Sequence, residues 1–218
     1  MKARHVLLLD GRRDDDATLV AVRAALDVGL NACGLTVDSW VLRDEAIAPC
    51  AGCFGCWVKT PGVCVNRDGG RSVAARVMSS DLLVYLAPVT FGGYSSELKK
   101  AVDHIIPVLL PHFCKLDGGT RHKLRYAEYP DFLAVGVATH SALDPAAEAE
   151  TFRALAARNA LNLRPGRWAA GVVKPDARSL EIGALVSGLL AQVGAHDGPA
   201  SIGRPRDLAF SAQREVAS

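Results

Sequence analysis

Short β-branched or leucine-rich runs alternate along the chain with longer stretches in which apolar positions recur every three or four residues. Five such runs lie at 5–10, 36–42, 82–87, 132–138 and 168–173, the first of them continuously apolar from Val6 to Leu9. Continuity rather than alternation is the signature of strands buried on both faces, so these runs predict five strands of a parallel sheet. Between the first two, Leu19, Val22, Leu26 and Leu30 form one helical stripe, with Asp16 or Thr18 available as its cap. A short helix is predicted over 71–79. A third stripe, Leu98, Ala101, Val102, Ile105 and Leu109, is opened by the Ser95-Ser96-Glu97 turn. Asp144-Pro145 starts a fourth helix with proline in its first position, and Ile182, Leu185, Val186, Leu189, Leu190 and Val193 mark a last one. Two stretches resist this pattern: a long connection at 43–70, which carries cysteines, and an irregular segment at 111–130, rich in basic and aromatic residues. The tail beyond Gly194, with Gly198, Pro199, Gly203 and Pro205, reads as loop or as an arm packed on a neighbouring subunit.

Strands alternating with helices imply right-handed crossovers and a sheet covered on both faces. The expected fold is α/β, a flavodoxin-like three-layer sandwich with a five-stranded parallel sheet of order 2-1-3-4-5. It spans residues 1–194, with the cysteine-rich loop at 43–70, a basic insert at 111–131 and the tail at 195–218. Ligands in such sheets bind outside the carboxyl ends of the strands, here beside strands one and three. Composition narrows the setting. With a net charge of +2 over 218 residues, no bulk nucleic-acid or membrane partner is expected. The apolar run 6–9 is far too short for a signal peptide or a membrane span, which implies a cytoplasmic location. In that reducing compartment the six cysteines read better as metal ligands or redox groups than as disulfides.

Four of the cysteines, Cys50, Cys53, Cys56 and Cys64, have the spacing C-x2-C-x2-C-x7-C. Gly52 and Gly55 give the backbone freedom to wrap three sulfurs around one small volume, and Pro61-Gly62 folds the chain back to present Cys64. Four thiolates so placed match the ligand set of a [4Fe–4S] cluster and equally that of a four-cysteine zinc site. The tight triple spacing favours the cluster. Reduced thiols lining a pocket are the third possibility. Cys33 and Cys114 fall outside the motif.

The chain resembles the NADPH-dependent FMN reductase and iron–sulfur flavoprotein group. The resemblance rests on Pro49-Cys-Ala-Gly-Cys-Phe-Gly-Cys56, Gly62-Val-Cys64 with Asp68, Ser80-Asp81, Ala87-Pro-Val-Thr-Phe-Gly-Gly-Tyr-Ser-Ser96, and the Leu98-Lys99…Asp103 helix start. It covers about the first 140 residues. It implies a homo-oligomeric flavoprotein that passes electrons between a reduced nicotinamide, NADH or NADPH, FMN, and a cluster or another acceptor. The flavin ring would lie at Pro88, Val89, Thr90, Phe91, Gly92, Gly93 and Tyr94, where the glycines admit close backbone approach and Phe91 or Tyr94 could stack. His140, at the end of the fourth strand, is a further pocket candidate.

One departure stands out. Members of the group hold the FMN phosphate with a first loop rich in serine and threonine; here that loop is Gly11-Arg12-Arg13-Asp14-Asp15-Asp16-Ala17-Thr18. Arg12, Arg13 and Thr18 are the candidates for the phosphate, yet three consecutive aspartates repel a dianion and compete for the same arginines. Either the arginines take over or the flavin site has decayed. The basic run 121–126 could grip a nucleotide phosphate, a carboxylate or a partner chain, or be a solvated edge. Trp57 and Lys59 could shield a cluster and tune its charge, or serve as an anchor and a surface charge. The leading expectation is an FMN-dependent NAD(P)H oxidoreductase or electron-transfer flavoprotein with no side chain acting as acid or base. The alternative is a non-catalytic binding or structural subunit with a zinc-filled or empty cysteine knot. A dithiol redox protein using Cys50 and Cys56 is a third, weaker expectation.

Overall fold

The computed structural model describes residues 4–116, 118–140 and 144–196. Five strands form the parallel sheet: β1 (His5–Asp10), β2 (Thr36–Val41), β3 (Leu82–Pro88), β6 (Asp131–Val137) and β7 (Trp168–Val173). Two further strands, β4 (Leu109–Leu116) and β5 (Gly119–Leu124), pair only with each other as an antiparallel ribbon. The sheet order is therefore β2-β1-β3-β6-β7, and the expected order 2-1-3-4-5 is corrected by the two ribbon strands that intervene between β3 and β6. Despite this insertion, β3 and β6 pair directly, Leu82 with Asp131 through Pro88 with Val137.

Alternating side chains of the strands feed two cores. Val6, Leu8, Leu82, Val84, Leu86, Leu133 and Val135 point to one face, where α1 (Ala17–Ala32) and α6 (Ser179–Gln192) cover them. Leu7, Leu9, Leu83, Tyr85, Phe132 and Ala134 point to the other, beneath α3 (Gly70–Ser79), α4 (Ser96–Asp103) and α5 (Pro145–Leu163). Each fully buried leucine contributes roughly 1.5–3 kcal/mol, so the sheet is the rigid frame on which the loops are set.

The third helical stripe does not run to 109. Helix α4 ends at Asp103, and a short 3-10 turn carrying Pro107 follows, because proline lacks the N–H that would continue the helix. Leu109 then opens the ribbon where irregular chain was expected. The ribbon's turn is marked in the sequence by Asp117-Gly118, and Gly118 has φ +72°. The tail expected from residue 195 lies, from residue 197 on, outside the described residues.

Candidate functional site

A cleft of about 740 Å³ opens at the carboxyl ends of β1, β3 and β6, next to the point where strand order reverses. Arg13, Asp14, Asp16 and Leu19 form one wall. Pro88, Val89, Thr90 and Phe91 form the other, with Val137, Ala138, Thr139, His140 and Glu148 between them.

The 88–94 wall is stiff. Thr90 and Gly93 exchange backbone hydrogen bonds of 3.0 and 2.8 Å, closing a two-residue turn. Its central residues, Phe91 (φ +50°) and Gly92 (φ +75°), are both left-handed, the pattern of a type I′ turn. Gly92 must be glycine on a second count, since a Cβ there would stand 2.6 Å from Cβ of Thr151 on α5. The turn throws Phe91 outward, 88% exposed at the cleft. A phenylalanine held in a conformation its Cβ disfavours, and left in water, is strain at a place where a ligand can use it. Tyr94 goes the opposite way. It packs edge-on against Tyr85 and Phe152 in the core, and its hydroxyl accepts a 2.7 Å hydrogen bond from Asn159. Burial pushes its pKa up to about 12. Of the two aromatic candidates for stacking, only Phe91 faces the cleft; Tyr94 is a core residue.

The opposite wall is a charged network. Asp10, fully buried at the end of β1, takes the Arg12 guanidinium through Nε at 2.8 Å and through Nη2, and accepts the Arg12 backbone N–H at 3.1 Å. Arg23 reaches the same carboxylate at 3.4 Å. The hydrogen bonds to Asp10 raise the Arg12 pKa further. Arg43 holds Asp15 at 2.9 Å, and Asp16 caps α1, accepting from the backbone N–H of Thr18 at 2.9 Å and of Leu19 at 3.0 Å. Thus Arg12 is turned into the network, Thr18 lends its amide to the cap, and neither lines the cleft. Arg13 does line it, and it has no ion-pair partner among the described residues. His140 reaches the rim, mostly exposed, with Nε2 3.4 Å from Asp176. The wall beside Phe91 offers apolar surface of the kind a planar ring packs against. On the other wall the Thr18 and Leu19 amides, of the kind that would hold a phosphate, already bind the Asp16 carboxylate.

The cysteine loop stands apart from these cleft-lining residues. Asp68 pins its two ends by accepting from the backbone N–H of Ala48 at 2.9 Å and of Gly70 at 3.1 Å. Buried His104 donates to the Ala48 carbonyl at 2.9 Å. Sequence reasoning missed His104 as a support. Gly70 was its one signal, because a Cβ there would lie 2.6 Å from the histidine ring. Within the loop, Phe54 in a left-handed conformation starts the single turn α2 (Gly55–Val58). Cys56 and Cys64 are buried, whereas Cys50 and Cys53 are exposed. Burial raises the Cys56 pKa, and the neighbouring Cys64, Cys50 and Cys53 raise it further. The four thiols are thus electrostatic neighbours of the right donor type. Among the described residues, however, no three His, Cys, Asp or Glu side chains converge as an ion site. The ribbon roofs the loop: Trp57 stacks on Phe54 and His122, His122 on Phe113, and the Trp57 indole donates to the Leu109 carbonyl at 2.9 Å. Within the basic run, Arg125 Nε donates to the Pro107 carbonyl and His122 Nδ1 to that of Leu110. Lys59 is exposed on the loop.

The sequence profile of NADPH-dependent FMN reductases matches residues 5–126. The chain belongs to that family. Two relatives are named for an iron–sulfur cluster. An iron-sulfur flavoprotein of Methanocaldococcus jannaschii is 30% identical over 96 residues, 44% of this chain and 48% of the relative. An iron-sulfur flavoprotein of Methanosarcina thermophila is 28% identical over 85 residues, 39% and 43% of the two chains. The chain thus spans less than half the length of each of these relatives. Among solved structures, the fold resembles an NAD(P)H:quinone oxidoreductase from Methanothermobacter marburgensis, with a TM-score of 0.63 at 13% identity over 89% of this chain and 96% of that one. An FMN-dependent NADH-azoreductase from Bacillus anthracis gives 0.61 at 13% identity over 88% and 97%. No helix among the described residues is long and apolar enough to cross a membrane.

Proposed function

We propose that this FMN reductase family member is a flavin-dependent NAD(P)H oxidoreductase, and that the cysteine loop carries its electrons onward through a [4Fe–4S] cluster. The observation that carries the reading is the rigid 90–93 turn, which presents exposed Phe91 to a cleft at the switch point of a parallel sheet. A bound flavin would supply the chemistry, taking two electrons as a single hydride and giving them up one at a time. The protein's own part is to bind and orient. Phe91 offers a face for the ring, Gly92 keeps that face in place, and the buried ends of β3 and β6 exclude water beneath it. His140 at the rim can meet a nicotinamide or an acceptor, and no side chain need act as acid or base.

Cys50, Cys53, Cys56 and Cys64 would hold the cluster, with the two exposed thiols turning in toward the buried pair. Because burial keeps the Cys56 thiol protonated, loading releases a proton and is favoured by rising pH. A cytoplasmic setting keeps these thiols reduced. The exposed rings of Phe54 and Phe113, at the two ends of the stack over the loop, support a homo-oligomer.

A second reading rests on the charged first loop and on thiols that do not converge: a binding subunit with zinc, or nothing, in the cysteine loop. The two separate in one preparation. Protein purified without oxygen should be yellow-brown, with flavin and about four irons per chain. Cys64→Ser should remove the iron and the brown absorbance and leave the flavin. Colourless protein that takes up no added FMN would falsify the oxidoreductase reading, and zinc in that colourless protein would support the second.

A further inference from the structure

The disagreement between the two walls of the cleft concerns which flavin the chain selects, an inference that rests on the flavin reading above. Four observations meet at the first loop. The backbone N–H groups of Thr18 and Leu19, where an anion would sit at the start of α1, are 2.9 and 3.0 Å from Asp16 Oδ1. The Val20 N–H belongs to the helix, bonded to the Asp16 carbonyl at 2.9 Å. Three neighbouring arginines are committed to carboxylates: Arg12 to Asp10, Arg23 to Asp10 and Asp27, and Arg43 to Asp15. That leaves the lining itself, where Arg13 and His140 share the cleft with three carboxylates, Asp14, Asp16 and Glu148.

We propose that Asp16 acts as a built-in stand-in for phosphate, so that this chain grips flavin by its ring alone and does not distinguish FMN from riboflavin. A phosphate could reach the Thr18 and Leu19 amides only by expelling the Asp16 carboxylate. It would then hold two charges against Asp14 and the released Asp16, with Arg13 as the cation at hand. The charge-assisted hydrogen bonds made by the phosphate would only replace equivalent ones given up by the carboxylate, so the net benefit falls toward zero. Riboflavin, lacking the phosphate, meets neither those hydrogen bonds nor the repulsion. Asp16 is therefore a specificity-determining residue, acting by occupying the seat.

The test is a pair of dissociation constants, for FMN and for riboflavin, read by quenching of flavin fluorescence with the full chain. In the wild-type protein the two should agree within about threefold, since phosphate gains little against a seated carboxylate. Asp16→Ser keeps a capping oxygen for the helix but removes the charge, leaving a neutral hydroxyl that a phosphate can displace without repulsion. It should tighten FMN about tenfold, the scale of one recovered charge-assisted hydrogen bond, and leave riboflavin within about twofold. Asp16→Asn, which keeps the cap and loses only the charge, should move FMN in the same direction by less. Unchanged thermal midpoints would show that both variants fold. Wild-type protein that binds FMN at least about tenfold tighter than riboflavin would overturn the proposal and leave the flavin reading standing. So would an Asp16→Ser effect equal for the two flavins. Failure of both flavins to bind any of the three proteins would sink the flavin reading and this inference with it.

Discussion

The wall built by residues 88–94 satisfies its polar groups inside a four-residue turn and sends an aromatic ring into the cleft, whereas the wall built by residues 10–18 sends charges inward. In the first, Thr90 and Gly93 bond to each other and Phe91 is left unsupported in solvent. In the second, Asp10, Arg12, Arg23, Asp15 and Arg43 bind one another and leave Arg13 facing the opening. A strained exposed group is free to gain energy from a ligand; a fully paired charge network has little left to give. The availability of a side chain, more than its chemical type, separates the wall that can hold a ligand from the one that holds itself.

Four measurements test this contrast. The largest effect should come from Asp10→Ala, which leaves two arginines without their buried counter-charge; stability should fall by about 2–3 kcal/mol, read from the denaturant midpoint. A loss below about half a kcal/mol would mean that the network is solvated and replaceable. Gly92→Val places a branched side chain at φ +75° against Thr151. It should cost about 2 kcal/mol and abolish flavin binding, whereas Gly93→Ala, with its nearest contact at 3.4 Å, should cost under about 1 kcal/mol. Phe91→Asn should act with opposite signs on the two readouts. Asparagine tolerates the left-handed conformation, so the fold should gain about 0.5–1 kcal/mol while flavin binding weakens severalfold. Equal flavin affinity in that variant would remove Phe91 from the site.

The smallest effect is confined to alkaline solution. Tyr94 has its pKa raised to about 12, against about 10 when unfolded, so above pH 10 the unfolded chain loses a proton that the folded chain keeps. Stability should decline between pH 10 and 12 by about 1.4 kcal/mol per pH unit for this group, with buried Tyr85 adding in the same direction. Tyr94→Phe should flatten part of that slope and leave the cleft unaltered. A change in flavin binding on the same substitution would put Tyr94 back at the site.

The strands were legible because burial on both faces forces uninterrupted apolar runs such as Val6 to Leu9, a signal that owes nothing to distant contacts. The ribbon was not, because its strands are polar and half exposed, and helical spacing from Leu98 through Ile105 to Leu109 masks the interruption at Pro107. The Asp117-Gly118 pair was the local clue. At the site, the loop carrying Phe91 and Tyr94 could be located, but which ring faces the cleft depends on a left-handed turn that spacing does not encode. Arg12 and Arg13 are identical by type and adjacent. Only the burial of Asp10, a property of the assembled sheet, decides that Arg12 turns inward and Arg13 outward. The fate of the thiols is likewise tertiary, set by Asp68 and His104 at the base of their loop.

The direct pairing of β3 with β6 has an evolutionary corollary. Everything between residues 88 and 131 is looped out of the sheet, and the ribbon's backbone pairing closes on itself. The entropy of closing such an excursion grows only by about 0.6 kcal/mol for each doubling of its length. Beyond Leu109, which belongs to the core, and the Arg164 hydrogen bond to the His122 carbonyl, the ribbon is therefore an exchangeable cassette. Descendants of this gene could lengthen it, shorten it or replace the rings of Phe113 and His122 that continue the stack from Trp57, and inherit the same five-stranded frame.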